Sequence, residues 1–201
     1  MRLFVLLLAL FLWPLSASAG TAPPGQTEID SSKVLRGDFY QEHQFPGTKS
    51  AMHYFGKFVV APAHGLIWNM MKPLPTIIIV TPSGVAQSFA GVAMKLPTVH
   101  TRQLYTMVSS ALAGDWSKLE RDFIIAQTVN GDQWTLQLSP RDKNKPTVPY
   151  SKINVTGRNF VETIYLGKDD GTYDMFRFSN PVLSDATLAP QEAANFNMAA
   201  R

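Results

Sequence analysis

The sequence predicts a mainly β fold with some helix, in the form of one strongly curved antiparallel sheet or barrel with helices against its concave face. Three observations predict it. Runs typical of strands occupy much of residues 52–80 and 123–179. Residues 98–123, between them, place apolar residues at helical spacing. The loops within each β-rich part are too short for parallel crossovers, so antiparallel pairing is expected.

The amino-terminal residues have the layout of a secretory signal peptide. Met1 and Arg2 are followed by the uncharged run "LFVLLLALFLWPL" and by the small residues "ASA", which a signal peptidase reads. The run is shorter than the ~20 residues that a spanning helix needs. We therefore expect residues 1–19 to be removed by cleavage after Ala19, with an uncleaved anchor as the alternative.

Residues 20–201 are expected to form one domain with a sizeable core. The chain has no cysteine, so its stability must come from burial without disulfides. The formal net charge is +3 and the basic residues are scattered, whereas nucleic-acid and polybasic membrane sites concentrate them. The composition therefore indicates an exported protein that does not bind nucleic acid.

Residues 34–45 could open as a short helix before passing into a strand. Turn segments with proline or glycine then divide residues 52–80, because these residues interrupt strand ladders. The three strands expected there are "MHYFGKFVV", "LIWNMM" and "TIIIV". They form a short antiparallel meander.

The helical segment carries Leu104, Met107, Val108, Ala111 and Leu112 on one face. Thr98 or Thr101 can cap its start and Gly114 can end it. Asp115 could cap a second short helix over "WSKLE". Because both helices are amphipathic, they must lie on an apolar surface.

The segment "FIIAQTVNGDQWTLQLSP" predicts a hairpin, since Asn130-Gly131 is a preferred type I′ turn. Alternation in its second arm places Trp134, Leu136 and Leu138 inward. A polar loop and three more strands follow, "SKINVTG", "FVETIYLG" and "TYDMFRFS". The last residues, 181–201, are expected to be a loosely packed tail.

Catalytic and metal-binding patterns are missing from the sequence. None of the four histidines has the spacing of a metal ligand pair, and no serine fits a nucleophile elbow. Asp169-Asp170-Gly171 resembles part of a calcium loop, but this triplet is more typical of a turn. We therefore predict a protein that is not an enzyme and needs neither a metal nor a cofactor.

The apolar residues allow two interpretations. The eight methionines are typical of a core with irregular gaps, but they also suit a surface that fits variable apolar partners. A curved sheet that is closed by amphipathic helices can enclose a ligand cavity or be filled.

An ordered set of short motifs in residues 34–84 resembles a known family. The motifs are Phe39-Tyr40-Gln41, then Gly56, Phe58 and Val60, then Gly65, Leu66, Trp68 and Pro73, and then the apolar strand and turn of residues 77–82. In this order they resemble the front half of the LolA-like periplasmic lipoprotein carriers. The element order is similar over nearly the whole of residues 20–201.

The resemblance implies a half-open β-barrel with a helical lid, which shields an acyl chain in its concave cavity. It implies a periplasmic monomer that carries lipoproteins or another lipid toward the outer membrane, between an inner-membrane donor and an outer-membrane acceptor. The implied cavity walls are Phe58, Leu66, Trp68, Met70, Ile77, Ile79, Trp134, Leu136 and Leu138. The implied lid residues are Leu104, Met107, Val108, Ala111 and Leu112.

One motif departs from the family. Carriers of this kind have an arginine before the turn that leads to the tryptophan strand, and it tethers the lid. Here Ala61-Pro62-Ala63 stands at that place. A divergent member with its own cargo is therefore implied. The alternatives are an envelope interaction module with a filled core and, ranked last, an enzyme that acts on lipids.

Overall fold

The structure, a computed structural model, describes residues 23, 25–89, 92–94, 99–142, 144 and 146–199. The expected signal peptide and the cap at Thr98 lie outside these residues. Within them the chain forms eleven strands and three helices, in the order β1 (Lys33–Gln44), β2 (Met52–Ala61), β3 (Gly65–Lys72), β4 (Thr76–Val80), β5 (Val85–Phe89), β6 (Val92–Met94), α1 (Val99–Ala113), α2 (Trp116–Glu120), β7 (Phe123–Asn130), β8 (Gln133–Pro140), β9 (Lys152–Gly157), β10 (Val161–Gly167), β11 (Tyr173–Asp185) and α3 (Pro190–Ala199).

All the strands belong to one sheet in the order β6-β5-β4-β3-β2-β1-β11-β10-β9-β8-β7. The meander β1–β6 and the meander β7–β11 are joined where β1 pairs with β11. The sheet does not close, because β6 and β7 remain at its two ends. This is the half-open antiparallel barrel that the sequence resemblance implied.

The sheet is strongly curved, and α1 and α2 lie against its concave face. Trp68 in β3 and Phe176 in β11 are three strand spacings apart, which is about 14 Å on a flat sheet. Their ring centroids are only 5.6 Å apart. Tyr105 of α1 reaches Trp68 at 5.7 Å, and Trp116 of α2 meets Trp134 of β8 at 6.0 Å. The predicted helical cover is therefore confirmed.

Local chemistry ends α1 and starts α2 as predicted. Gly114 has a φ of +72°, a left-handed conformation that suits a glycine after a helix. The Asp115 side chain then accepts a hydrogen bond from the Lys118 N–H and caps α2. The chain turns sharply between the two helices, so that both can face the sheet.

Strand β4 corrects two of the implied wall residues. Its pairing places Ile78 opposite Trp68 and Val80 opposite Leu66, so these even-numbered residues face the concave side. Ile77 and Ile79 lie on the convex face, where Ile79 packs with Phe196 of α3. The assignment was wrong because "TIIIV" is apolar on both faces, and only the pairing with β3 fixes its register.

The carboxyl-terminal tail is not loose. Strand β11 continues to Asp185, and α3 then packs on the convex face of β3, β4 and β5. Phe196 is buried there, and Arg36 of β1 binds Glu192 at 2.7 Å. The prediction of a loose tail was wrong. The side chains of β4 on the convex face are apolar, and α3 covers them.

Three smaller differences concern boundaries. Strand β1 begins at Lys33 without a preceding helix, and β5 and β6 were not anticipated. Asn130 pairs with Gln133, so the hairpin loop is Gly131-Asp132, with Gly131 at a φ of +63°. The hairpin itself is confirmed, and its turn lies one residue later than predicted.

Candidate functional site

The middle of the concave face is a cluster of stacked aromatic rings. Trp68 stacks on Phe39 with a centroid distance of 3.8 Å and meets the edges of Phe176 and Phe178 at 5.6 and 6.1 Å. Tyr105 of α1 covers the cluster. The Trp68 side chain is 0% exposed, so this part of the face is filled by protein.

Most implied wall and lid residues come together in one apolar cluster under α1 and α2. Its members from the expected set are Phe58, Leu66, Trp68, Trp134, Leu136 and Leu138 of the sheet, and Met107, Val108, Ala111 and Leu112 of α1, with Met70 and Leu104 partly buried against them. Ile77 and Ile79 are the two that the structure places elsewhere. Alternation therefore assigned the correct residues to the concave face in strands whose other face carries polar residues.

An open cavity lies at one end of this cluster, below the end of α1. Its volume is about 300 Å³, at the lower limit of ordinary ligand pockets. The apolar part of its wall consists of Leu35, Phe58, Leu112, Phe160, Val161 and Phe178. The polar part consists of Arg158, Asn159, Glu162 and Ser179, with Pro181 beside them.

Arg158 organises the polar rim of the cavity. Its guanidinium binds Glu162 at 2.6 Å and Asp132 at 3.1 Å. Its main-chain carbonyl accepts a hydrogen bond from Trp134 Nε1. The rim is therefore attached both to the β9–β10 connection and to the β7–β8 turn.

An amino-terminal segment, residues 26–29, joins the helices to the sheet at this rim. The Thr27 N–H donates to the Asn159 carbonyl at 2.8 Å, and the Ile29 N–H donates to the Ala113 carbonyl at 2.9 Å. Trp116 Nε1 donates to Gln26 Oε1 at 2.8 Å. The segment therefore holds the end of α1 and the start of α2 over the cavity. No sequence signal identified it, because its contacts are mostly through main-chain atoms.

A buried carboxylate lies at the other end of the concave face. Asp174 of β11 accepts hydrogen bonds from Tyr150 at 2.6 Å, from His43 at 2.8 Å and from Gln41 at 3.0 Å. Its side chain is 5% exposed. Sequence reasoning missed this cluster because Tyr150 belongs to a segment interpreted as a polar loop.

The hydrogen bonds keep Asp174 charged despite its burial. Burial alone would raise the pKa of Asp174, but hydrogen bonds from His43 and Tyr150 and the charge of His43 lower it below its ordinary value. The pKa of Tyr150 is raised by burial and by the neighbouring carboxylate. Burial and the same carboxylate also raise the pKa of Tyr105. Both tyrosine hydroxyls therefore remain neutral at physiological pH, and that of Tyr150 donates to Asp174.

Two of the other histidines of the described chain, His53 and His64, have ordinary partners. His53 Nδ1 lies 2.6 Å from the Tyr40 hydroxyl, and His64 stacks on Phe196. Within the described residues, no three side chains of histidine, cysteine, aspartate or glutamate are grouped so that they could hold a metal ion. The same residues include no helix with the length and apolar character required to cross a membrane.

Among known proteins, the chain is similar to solved structures. No family model matches the sequence, and no curated protein matches it. Among solved structures, the chain is similar to a LolA superfamily protein from Nitrosomonas europaea, with a TM-score of 0.42, 11% identity and coverage of 83% of this chain and 91% of that chain. The likeness concerns the fold.

Two further solved structures are similar at the same level. A DUF1329 family protein from Desulfovibrio piger has a TM-score of 0.47 and 11% identity, over 83% of this chain and 92% of that chain. A domain described as an outer membrane lipoprotein-sorting protein, from Vibrio parahaemolyticus, has a TM-score of 0.39 and 10% identity, over 87% and 94% of the two chains. The open, curved sheet with helices over its concave face is itself the fold that the sequence resemblance implied.

Proposed function

We propose that the protein is a periplasmic carrier that shields the acyl chains of lipoproteins, or of another lipid, between its concave face and the lid formed by α1 and α2. The cavity beside Leu112 carries this proposal. Its inner wall is apolar and its rim is polar, which is the arrangement that an acyl chain with a polar head requires. The protein would act as a monomer between an inner-membrane donor and an outer-membrane acceptor, without a cofactor.

The mechanism is reversible burial. Each shielded methylene contributes ~0.8 kcal/mol, so about ten methylenes supply ~8 kcal/mol, the free energy of a micromolar Kd. The costs of association reduce this value. A chain longer than the open cavity needs α1 to move away from the sheet. The residue 26–29 segment, which is bonded to both helices and to Asn159, would then be the attachment that yields.

A fluorescent fatty acid tests the proposal, with Val161→Phe as the variant and Val182→Phe as its matched control. Val161 lines the cavity, so a phenyl ring there occupies acyl-chain volume. Val182 is 58% exposed on β11. We expect saturable binding to the wild-type protein, about tenfold weaker binding to Val161→Phe, and no change for Val182→Phe. That loss equals ~1.4 kcal/mol, less than two methylenes.

A second candidate function is an envelope interaction module with a filled core. The complete burial of Trp68 and Trp134 favours it, because protein covers both side chains. Absence of saturable fatty-acid binding to the folded wild-type protein would reject the carrier and leave this candidate.

A further inference from the structure

We propose that the open edge of β7 binds an extended polypeptide segment of the acylated cargo as one more strand of the sheet. This inference rests on the proposed function, because it assigns a place to the protein part of a cargo whose acyl chain occupies the cavity. The partner is recognised through its main-chain N–H and C=O groups, so any uncharged segment in extended conformation can fit.

Strand β7 is a long and regular edge. It stands at the end of the sheet, and all eight of its residues pair with β8 without a register shift. In the described part of the chain no other strand pairs with it. A regular edge of this length presents a row of hydrogen-bonding groups to a partner chain.

The register determines which groups point outward. Asn130 and Gln133 flank a two-residue loop, so they exchange main-chain hydrogen bonds. The pairs alternate from there, and Phe123 faces Pro140, which has no N–H to give. The N–H and C=O groups of Ile125, Gln127 and Val129 therefore point away from β8 toward the open edge.

The edge lacks the features that usually prevent pairing. The sequence "FIIAQTVN" contains no charge, proline or glycine, whereas exposed edges usually carry lysine, proline or a bulge. Ile124 and Val129 are 55% and 45% exposed. By contrast, the opposite edge of the sheet, β6, is only three residues long. A partner strand on β7 would cover apolar side chains as well as main-chain groups.

The edge and the cavity are close enough for one cargo. Arg158 lines the cavity and also binds Asp132 in the β7–β8 turn at 3.1 Å. Two strand spacings, about 10 Å, separate β9 from β7, and about three extended residues cover that distance. An acyl chain in the cavity therefore holds the polypeptide that follows it at a high local concentration beside the edge.

The experiment compares binding of palmitate with binding of a palmitoylated peptide that is long enough to pair with all of β7. Gln127→Pro removes an outward N–H and leaves the β7–β8 hydrogen bonds in place, because proline is accepted at an edge with its nitrogen toward solvent. Gln127→Ala is the matched control that keeps the N–H. The same peptide with N-methylated amides tests the partner's side of the pairing on the wild-type protein.

We expect wild-type protein and Gln127→Ala to bind the acylated peptide more tightly than palmitate. Gln127→Pro should bind the peptide about tenfold more weakly, a change of ~1.4 kcal/mol, and palmitate unchanged. N-methylation should weaken binding to the wild-type protein by a similar factor, which keeps the test valid if Gln127→Pro fails to fold.

Equal binding of the ordinary and N-methylated peptides would overturn the inference. So would a wild-type dimer that Gln127→Pro dissociates, because the edge would then serve a second copy of the chain. Failure of the proposed function has a different signature, which is that palmitate itself does not bind to the wild-type protein.

Discussion

The middle and the open end of the concave face both have apolar walls, but side chains fill the middle and the open end contains a cavity. In the middle, the buried Trp68 ring contacts Phe39 of β1 and Tyr105 of α1. At the open end, Leu112 and Phe178 surround a cavity of about 300 Å³. The cavity is therefore a continuation of the core that lacks a large side chain. The middle should determine stability, and the open end should determine binding.

The largest expected effect is that of Trp68→Ala in the middle. Removal of a completely buried indole should lower the free energy of unfolding by about 3–5 kcal/mol, because the surrounding rings cannot close the void. Urea denaturation measures this change. Met71→Ala is the control in the same strand, since Met71 is 52% exposed, and it should change stability by about 0.5 kcal/mol or less. Similar values for the two variants would show that the middle is loosely packed.

The next effect is that of Asp174→Asn, at the far end of the same face. The amide cannot accept the hydrogen bonds of Tyr150, His43 and Gln41 in the same way, so we expect a loss of about 1–3 kcal/mol at pH 7. Equilibrium denaturation at pH 7 measures it.

The pH dependence of stability provides the control for that variant. Since hydrogen bonds lower the pKa of Asp174 in the folded protein, the carboxylate stabilises the fold above its unfolded pKa of about 3.9. That contribution is lost as the pH falls through the lower folded pKa. The wild-type protein should therefore lose more stability below about pH 4 than Asp174→Asn. An equal loss of stability in the two proteins as the pH is lowered would contradict this role of Asp174.

The smallest effect on stability is expected from Phe178→Ala, at the boundary between the aromatic cluster and the open end. Phe178 is only partly buried and borders the cavity, so we expect a cost of about 1–2 kcal/mol, below the range for fully buried phenylalanine. The enlarged cavity should bind longer fatty acids relatively better than the wild-type cavity does. A competition series of acyl-chain lengths measures this preference. Val182→Ala is the exposed control on β11. If Phe178→Ala leaves the chain-length preference unchanged, the cavity is not the site that binds the acyl chain.

The sequence predicted the parts of the fold where two signals coincide. In β8, polar residues alternate with Trp134, Leu136 and Leu138, and a glycine turn precedes them, so that facing and hairpin were both correct. In α1, the apolar spacing and Gly114 indicated the same helix. These features depend on local chemistry, which a single sequence displays.

The features that failed depend on contacts between distant segments. The isoleucines of "TIIIV" make both faces apolar, so the facing of Ile77 and Ile79 depends on the pairing of β4 with β3 and on the cover that α3 provides on the convex side. Helix α3 itself has a weak apolar pattern and depends on Phe196 and the Arg36–Glu192 pair. The Asp174 cluster joins β1, β11 and the loop before β9, and no local sequence pattern predicts contacts between segments so far apart in the chain.

The pairing of β1 with β11 also has a consequence for folding. Lys33 binds Asp185, 152 residues away along the chain, and this seam is the link through which the two meanders become one sheet. Each meander can form from neighbouring hairpins, but the seam requires the closure of a very long loop. Such non-local pairing slows folding. The concave face is therefore incomplete until β11 pairs with β1, and the apolar residues of both meanders stay exposed until this pairing forms.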